Sequence, residues 1–158
     1  MTTRILTQAE IKDLVDYDPE TGIFVDKNGT KIGAINNGYL RISLRGKVYQ
    51  AHRIAWAYIH GVWPSTGIIV DHINCNRKDN RIANLRLVNH RENMQNKIKP
   101  QGKNPYLGVR QDKFSGKWCA GIYSDGKHRG LGSSFTTPEE ARDAYIAAKR
   151  IFHKGFVN

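Results

Sequence analysis

The chain is short of cysteine, of acidic residues and of long apolar runs, and each shortage narrows what it can be. Only two cysteines occur in 158 residues, Cys75 and Cys119. They make no CxxC pair, so a disulfide-stapled secreted scaffold is excluded, and both are expected as reduced thiols in a cytosol-like compartment. No apolar run reaches the length of a membrane span, and the start carries no signal-peptide pattern. A cytoplasmic protein with no membrane partner is therefore expected. Asp and Glu number 14 against 25 Lys and Arg, for a formal net charge of +11. Such a balance favours a polyanionic partner, most often nucleic acid.

The positive charge is not spread evenly. Residues 1–26 hold two Lys/Arg and six Asp/Glu, a balance of −4. Residues 27–100 hold thirteen against three (+10), and residues 101–158 ten against five (+5). The basic excess thus spares the start and covers the rest. The length allows one or two small domains. Lys97 to Pro105 is basic, contains two prolines and a glycine, and shows no periodicity, which reads as a linker. The expected division is a first domain at 1–98, a linker at 99–104 and a second domain at 105–158.

Local signals fill in the first domain. Thr7 and Glu10 form a capping box, and Leu6 with Ile11 a hydrophobic staple, so a helix starts there. Gly22–Val25 reads as a short strand, Asn28-Gly29 as a hairpin turn, and Asn36-Asn37-Gly38 as another turn. Leu40, Ile42 and Leu44 alternate with Arg41 and Ser43, as in a half-buried strand. Residues 22–50 are therefore a small antiparallel sheet. Ala51 to Ile59 has helical spacing, ended by Gly61 and Pro64. This helix is expected to brace the sheet against the strand that follows, with His52 read as a buried or capping histidine.

Chemistry is concentrated between Ile68 and Asn96. The apolar run Ile68-Ile69-Val70 leads into Asp71-His72; a polar, Asn-rich loop follows, then Leu85–Val88, then a helix start at Asn89 with Glu92 as box partner. The coarse reading is strand, loop, strand, helix. His72 suits a general base near neutrality. Asp71 supplies a hard oxygen suited to Mg²⁺ or Mn²⁺. Asn84 is placed to hold the imidazole in one tautomer, and Asn93, on the first turn of the helix, to give a second oxygen to one metal ion. Two protein ligands leave positions for water and a phosphate oxygen. Adjacent residues on a regular strand point to opposite faces, so Asp71 and His72 share a site only if the strand ends or bulges there. Arg77, Lys78 and Arg81 in the loop, with Arg53 on the preceding helix, are expected on DNA phosphates. A zinc-stapled module built from His52, Cys75, His90 and Cys119 fits no known zinc spacing.

DHIN at 71–74, DNRIANLRLV at 79–88 and REN at 91–93 resemble the HNH endonuclease family, in the branch common among phage and intron-encoded homing enzymes. The stretch at 49–58, close to YxAHRIAWAY, belongs to the same resemblance. It implies a ββα-metal core over about 66–97, with His72 as general base, Asp71 and Asn93 as metal ligands and Asn84 orienting His72. Many relatives carry a histidine where Asn93 stands, which fits a hard ion and argues against tight zinc binding. Cys75 stands where relatives often have glycine.

After the linker come three strand-like pieces, at 106–110, 117–123 and 128–132, and a helix opened by Thr137-Pro138-Glu139-Glu140. YLGVR, GKWCAGIY, LGSSF and TPEEARDAYIAAKR resemble the ethylene-response-factor-like (Apetala-type) DNA-binding domain. That resemblance implies a three-stranded sheet reading DNA, with Arg110 and Trp118 as contacts. Leu107, Gly121, Tyr123 and Gly130 depart from the plant pattern, which leaves Lys117, Lys127 and Arg129 as phosphate contacts. The expected fold is α+β: a small antiparallel sheet and a ββα-metal core, then three strands packed on one helix. The expected function is a metal-dependent endonuclease on double-stranded DNA. Its single core implies a monomer that nicks one strand per event, in a bacterial host's cytoplasm if phage-encoded. The alternative is a DNA-binding regulator on a non-catalytic HNH scaffold.

Overall fold

The computed structural model describes residues 5–97, 100 and 104–157. The fold is mixed α+β, with small antiparallel sheets and four α-helices among the described residues. The chain divides into two compact units, Met1–His90 and Arg91–Asn158. This division falls ahead of the expected linker, of which residues 99 and 101–103 lie outside the described residues.

In the first unit, helix α1 (Gln8–Leu14) begins at the Thr7–Glu10 capping box, with both reciprocal bonds made. Two short strands follow, β1 (Asp16–Asp18) and β2 (Ile23–Val25). β1 was not legible in the sequence, because a three-residue acidic segment carries no strand pattern. Only its pairing with β2 makes it one, Tyr17 standing opposite Phe24. Next come β3 (Ala34–Asn36), β4 (Tyr39–Leu44) and β5 (Lys47–Gln50), in spatial order β3-β4-β5. The β3–β4 turn needs left-handed backbone at Asn37 (φ 49°) and Gly38 (φ 80°), which Asn and Gly adopt with least strain.

Helix α2 (Ala51–His60) buries Ala51, His52, Ile54, Ala55 and Ala57 on one face. Its small alanines allow close approach, and it packs against β4, β5 and the next strand, β6 (Ile68–His72). β6 pairs antiparallel with β7 (Leu85–Asn89), Asp71 opposite Arg86 and His72 opposite Leu85. One core joins these elements: Ile11, Val15, Phe24, Ile42, Ile54 and Val70 all lie in it. The helix braces the Asp-His strand as its apolar spacing implies.

Helix α3 (His90–Asn96) follows β7 directly, and from Arg91 on it groups with the second unit. There, strands β8 (Val109–Gln111), β9 (Trp118–Ser124) and β10 (Lys127–Phe135) form a sheet of order β10-β9-β8. Helix α4 (Pro138–Phe152) packs on all three strands, opened by the Thr137–Glu140 capping box. Ala141 and Tyr145 of α4 meet Ala120 and Ile122 of β9 in the core. The chain end then folds onto α3. Lys149, almost fully buried, donates its Nζ to the Lys97 carbonyl and lies 4.3 Å from the Phe156 ring. Gly155 donates to Gln95 Oε1 (3.0 Å), and a Cβ on it would lie 2.3 Å from the Glu92 carbonyl oxygen.

Candidate active site

Asp71 and His72 are the last two residues of β6, and both are buried. The strand carries no bulge there; it stays in register with β7 and ends at His72. The two side chains accordingly make different contacts. Asp71 Oδ2 accepts from Arg86 Nη2 (3.0 Å) and Nε (3.2 Å) across the β6–β7 ladder. His72 Nε2 lies 3.3 Å from Asn80 Oδ1. Because Asn80 Nδ2 donates to the Lys78 carbonyl (3.2 Å), its Oδ1 is an acceptor and His72 Nε2 is the N–H donor. In the neutral ring the lone pair then belongs to Nδ1. Burial pushes the His72 pKa below the ordinary imidazole value, against the pull of the Asn80 hydrogen bond and the Asp71 charge, so the neutral form is favoured.

The loop between β6 and β7 is built by its asparagines. Asn74 Oδ1 accepts from Asn76 N (2.9 Å), and Asn76 Oδ1 from Lys78 N (3.1 Å). Asn84 Oδ1 accepts from Asn74 N (3.0 Å), and its Nδ2 donates to the Asp79 carbonyl (2.8 Å). Short amides stand in for secondary structure here, satisfying backbone groups that a loop would leave exposed. Asp79 ties the loop together, accepting from Asn74 Nδ2 (2.8 Å), Arg81 Nε (2.8 Å) and Arg81 Nη2 (2.6 Å). These bonds, that from Arg81 first, hold its carboxyl down at about 2. From outside, Tyr17 Oη donates to the Asn80 carbonyl (2.7 Å) and Ile82 N to the Pro19 carbonyl (3.1 Å). Cys75 has φ 59°, the left-handed conformation glycine favours, so the expected glycine geometry is kept by a residue that pays strain for it.

These contacts correct one expectation. Asn84 was expected to orient the imidazole, but its amide serves the loop and the side chain on His72 is Asn80. Which amide reaches the ring depends on the loop's own hydrogen bonds, and spacing does not encode them. Two further residues beside His72 were missed. The His52 ring, at the start of α2, lies 4.9 Å from the His72 ring in an edge-on arrangement, and the Tyr39 ring lies 6.2 Å from it.

The basic residues divide by environment. Arg77 and Lys78 are exposed on the loop; Arg81 is exposed but bound to Asp79; Arg53 is half-buried on α2. Asn93 is half-buried on α3. In the second unit Arg110, Lys117 and Lys127 are exposed. Trp118 is half-buried on the helix side of the sheet, while Arg129 is exposed and also meets α4. Trp118 shares strand parity with Ala120 and Ile122 and packs against the cluster beneath α4. Arg129 lies 4.9 Å from the Phe152 ring of α4 and donates to Ser124 Oγ (3.0 Å). The opposite face carries a groove of 460 Å³ lined by Arg110, Gly121, His128 and Gly130 among others.

Residues 49–95, which contain α2, the β6–β7 hairpin and most of α3, match the family model described as HNH endonuclease. The match supports reading these residues as an HNH endonuclease segment, and the chain as a nuclease, a phosphodiester hydrolase. No curated protein matches the chain. Among solved structures it is similar to one titled "DNA binding and cleavage by the HNH homing endonuclease I-HmuI". The likeness is at 25% identity over 90% of this chain and 88% of that chain, with a TM-score of 0.46. The HNH match ends before the sheet-and-helix module. No helix among the described residues is long and apolar enough to cross a membrane.

Proposed function

We propose that the chain is a divalent-metal-dependent DNA endonuclease in which His72 is the general base. The observation that supports this is the contact of the buried His72 ring, through Nε2, with Asn80 Oδ1. With Nε2 set against Asn80, Nδ1 is the nitrogen proposed to take the proton from the attacking water, and burial favours the neutral ring. Asn80 orients the imidazole, while Asn84 shapes the loop that carries Asn80.

Asp71 is the proposed ligand of one metal ion, and Asn93 a second on sequence spacing alone. A carboxylate and an amide oxygen are hard donors, which suit Mg²⁺ or Mn²⁺. No group of three or more His, Cys, Asp or Glu gathers among the described residues. When bound, such an ion supplies charge stabilisation for the leaving 3′-oxygen. Arg86 holds the Asp71 carboxylate in orientation through its two bonds to Oδ2. Arg53, Arg77, Lys78 and Arg81 bind phosphates beside the cut, and Arg110, Lys117, Lys127 and Arg129 bind DNA from the second unit. With a single core, a monomer nicks one strand per event.

The test is nicking of supercoiled plasmid with Mg²⁺ or Mn²⁺. Cleavage is expected to stop in EDTA and to fall about 10²–10⁴-fold in His72→Ala, the usual contribution of a general base. Intact DNA binding without cleavage would make the chain a DNA-binding regulator on an HNH scaffold. Undiminished cleavage by His72→Ala would remove His72 as the base.

A further inference from the structure

His72 is walled by rings from two other elements, and one of them also carries an exposed arginine. Tyr39, first residue of β4, lies 5.4 Å from the His52 ring and 6.2 Å from the His72 ring; His52 and His72 are 4.9 Å apart. The three rings form a closed triangle of contacts. On Tyr39, the Arg77 guanidinium carbon sits 4.7 Å from the ring centroid, within cation–π range. The hairpin tip adds to this grip, since a Cβ on Gly38 would lie 3.7 Å from Arg77 Cδ.

The hydrogen bond to Asn80 fixes one point of the imidazole; the plane of the ring is set by what packs on its faces and edges. A guanidinium held over an aromatic ring still has N–H groups to offer a phosphate. His52 buries Nδ1 without a hydrogen-bond partner among the described residues, a cost that packing a plain aromatic ring there would avoid. From this arrangement we propose that Tyr39 is a positioning residue for the nuclease reaction. Backed by His52, it orients the His72 ring and holds Arg77 as a phosphate contact, so one side chain sets both the base and the DNA backbone. This rests on the reading of His72 as the general base.

The experiment is steady-state nicking of supercoiled plasmid, with separate kcat and KM, by wild type, Tyr39→Phe, Tyr39→Leu, Arg77→Ala, the Tyr39→Leu/Arg77→Ala double variant and His72→Ala. Thermal melting accompanies each variant as a check on folding. Tyr39→Phe keeps the ring and is expected to retain both constants within about twofold. Tyr39→Leu is expected to lower kcat on the order of 10- to 100-fold, the scale of a misplaced catalytic group. It is also expected to raise KM about two- to fivefold, as weakening one cation–π contact would. Arg77→Ala raises KM alone, and Tyr39→Leu made on that background raises it no further while still lowering kcat. A folded Tyr39→Leu with wild-type kcat overturns the proposal, and so do KM effects of Tyr39→Leu and Arg77→Ala that add in full. If Tyr39→Phe loses as much as Tyr39→Leu, the ring contact is not the operative feature and the proposal also falls. His72→Ala separates the layers: inactive His72→Ala with unaffected Tyr39→Leu refutes only this inference, whereas active His72→Ala refutes the base itself.

Discussion

His52 makes the stability of the first unit depend on pH in a way that can be isolated from everything else that titrates. The ring is buried at the start of α2, beside His72 and Arg53. Burial first, then the charges of His72 and Arg53, lower its pKa from 6.5 to about 3. The positive end of the α2 dipole opposes an imidazolium in the same direction. Between those two values the unfolded chain binds a proton that the folded chain refuses. Stability is therefore fully present above pH 6.5 and is lost as pH falls toward the folded value. At about pH 5 the unfolded histidine lies about one and a half units below its own pKa. At roughly 1.4 kcal/mol per unit, this removes about 2 kcal/mol. Replacing His52 with Phe keeps a ring of similar size and deletes the titration. Urea unfolding, followed by Trp56 and Trp63 in a Trp118→Phe background so that only the first unit reports, is compared at about pH 7 and pH 5. Wild type is expected to lose about 2 kcal/mol more than His52→Phe across that interval. Groups distant from His52 titrate alike in both proteins and cancel, whereas His72, 4.9 Å away, is coupled to it and its change belongs to the difference that is read. Parallel pH dependence in the two would refute the reasoning, because it would mean that His52 is protonated, or solvated, in the folded state.

Two shorter predictions test the frame of the site and the face of the second unit. Gly22 has φ 72°, and a Cβ there would lie 2.6 Å from Arg81 N and 2.7 Å from the Asn80 carbonyl carbon; Gly22→Ala should destabilise the first unit by more than about 1 kcal/mol and lower nicking by displacing Asn80, read by urea melts and plasmid cleavage. Arg110→Ala should weaken DNA binding and reduce the salt slope of log K by about 1, whereas Trp118→Phe should leave both unchanged; fluorescence anisotropy across a salt series distinguishes them.

Much of this architecture was legible in the sequence because it is dictated locally. Thr7 and Glu10, and Thr137 and Glu140, announce helix starts whose reciprocal bonds are all made. Asn37-Gly38 marks a hairpin, and the Asp71-His72 pair comes at a strand end. What escaped depends on contacts between distant segments. Tyr39 and His52 reach His72 through the packing of a sheet and a helix that periodicity cannot orient. The choice of Asn80 over Asn84 follows from a hydrogen-bond ladder inside the loop. The two-residue spacing of Trp118 from Ala120 and Ile122 places it on the buried side of β9.

The way the chain end closes over α3 changes how the protein can be dissected. Gly155 rests on the backbone of Glu92, and the buried Lys149 ammonium closes on the Lys97 carbonyl. The helix at which the HNH match ends is thus covered by residues about sixty positions further along. A protein shortened after the expected linker start would keep every residue of the matched segment and still strip one side of α3 of its cover. Stop codons or frameshifts late in the gene are therefore expected to disturb α3 as well as the module they remove. In limited proteolysis, cuts near residue 100 should leave two fragments that stay together until denatured, because the nicked peptide bond is not what joins α3 to the tail.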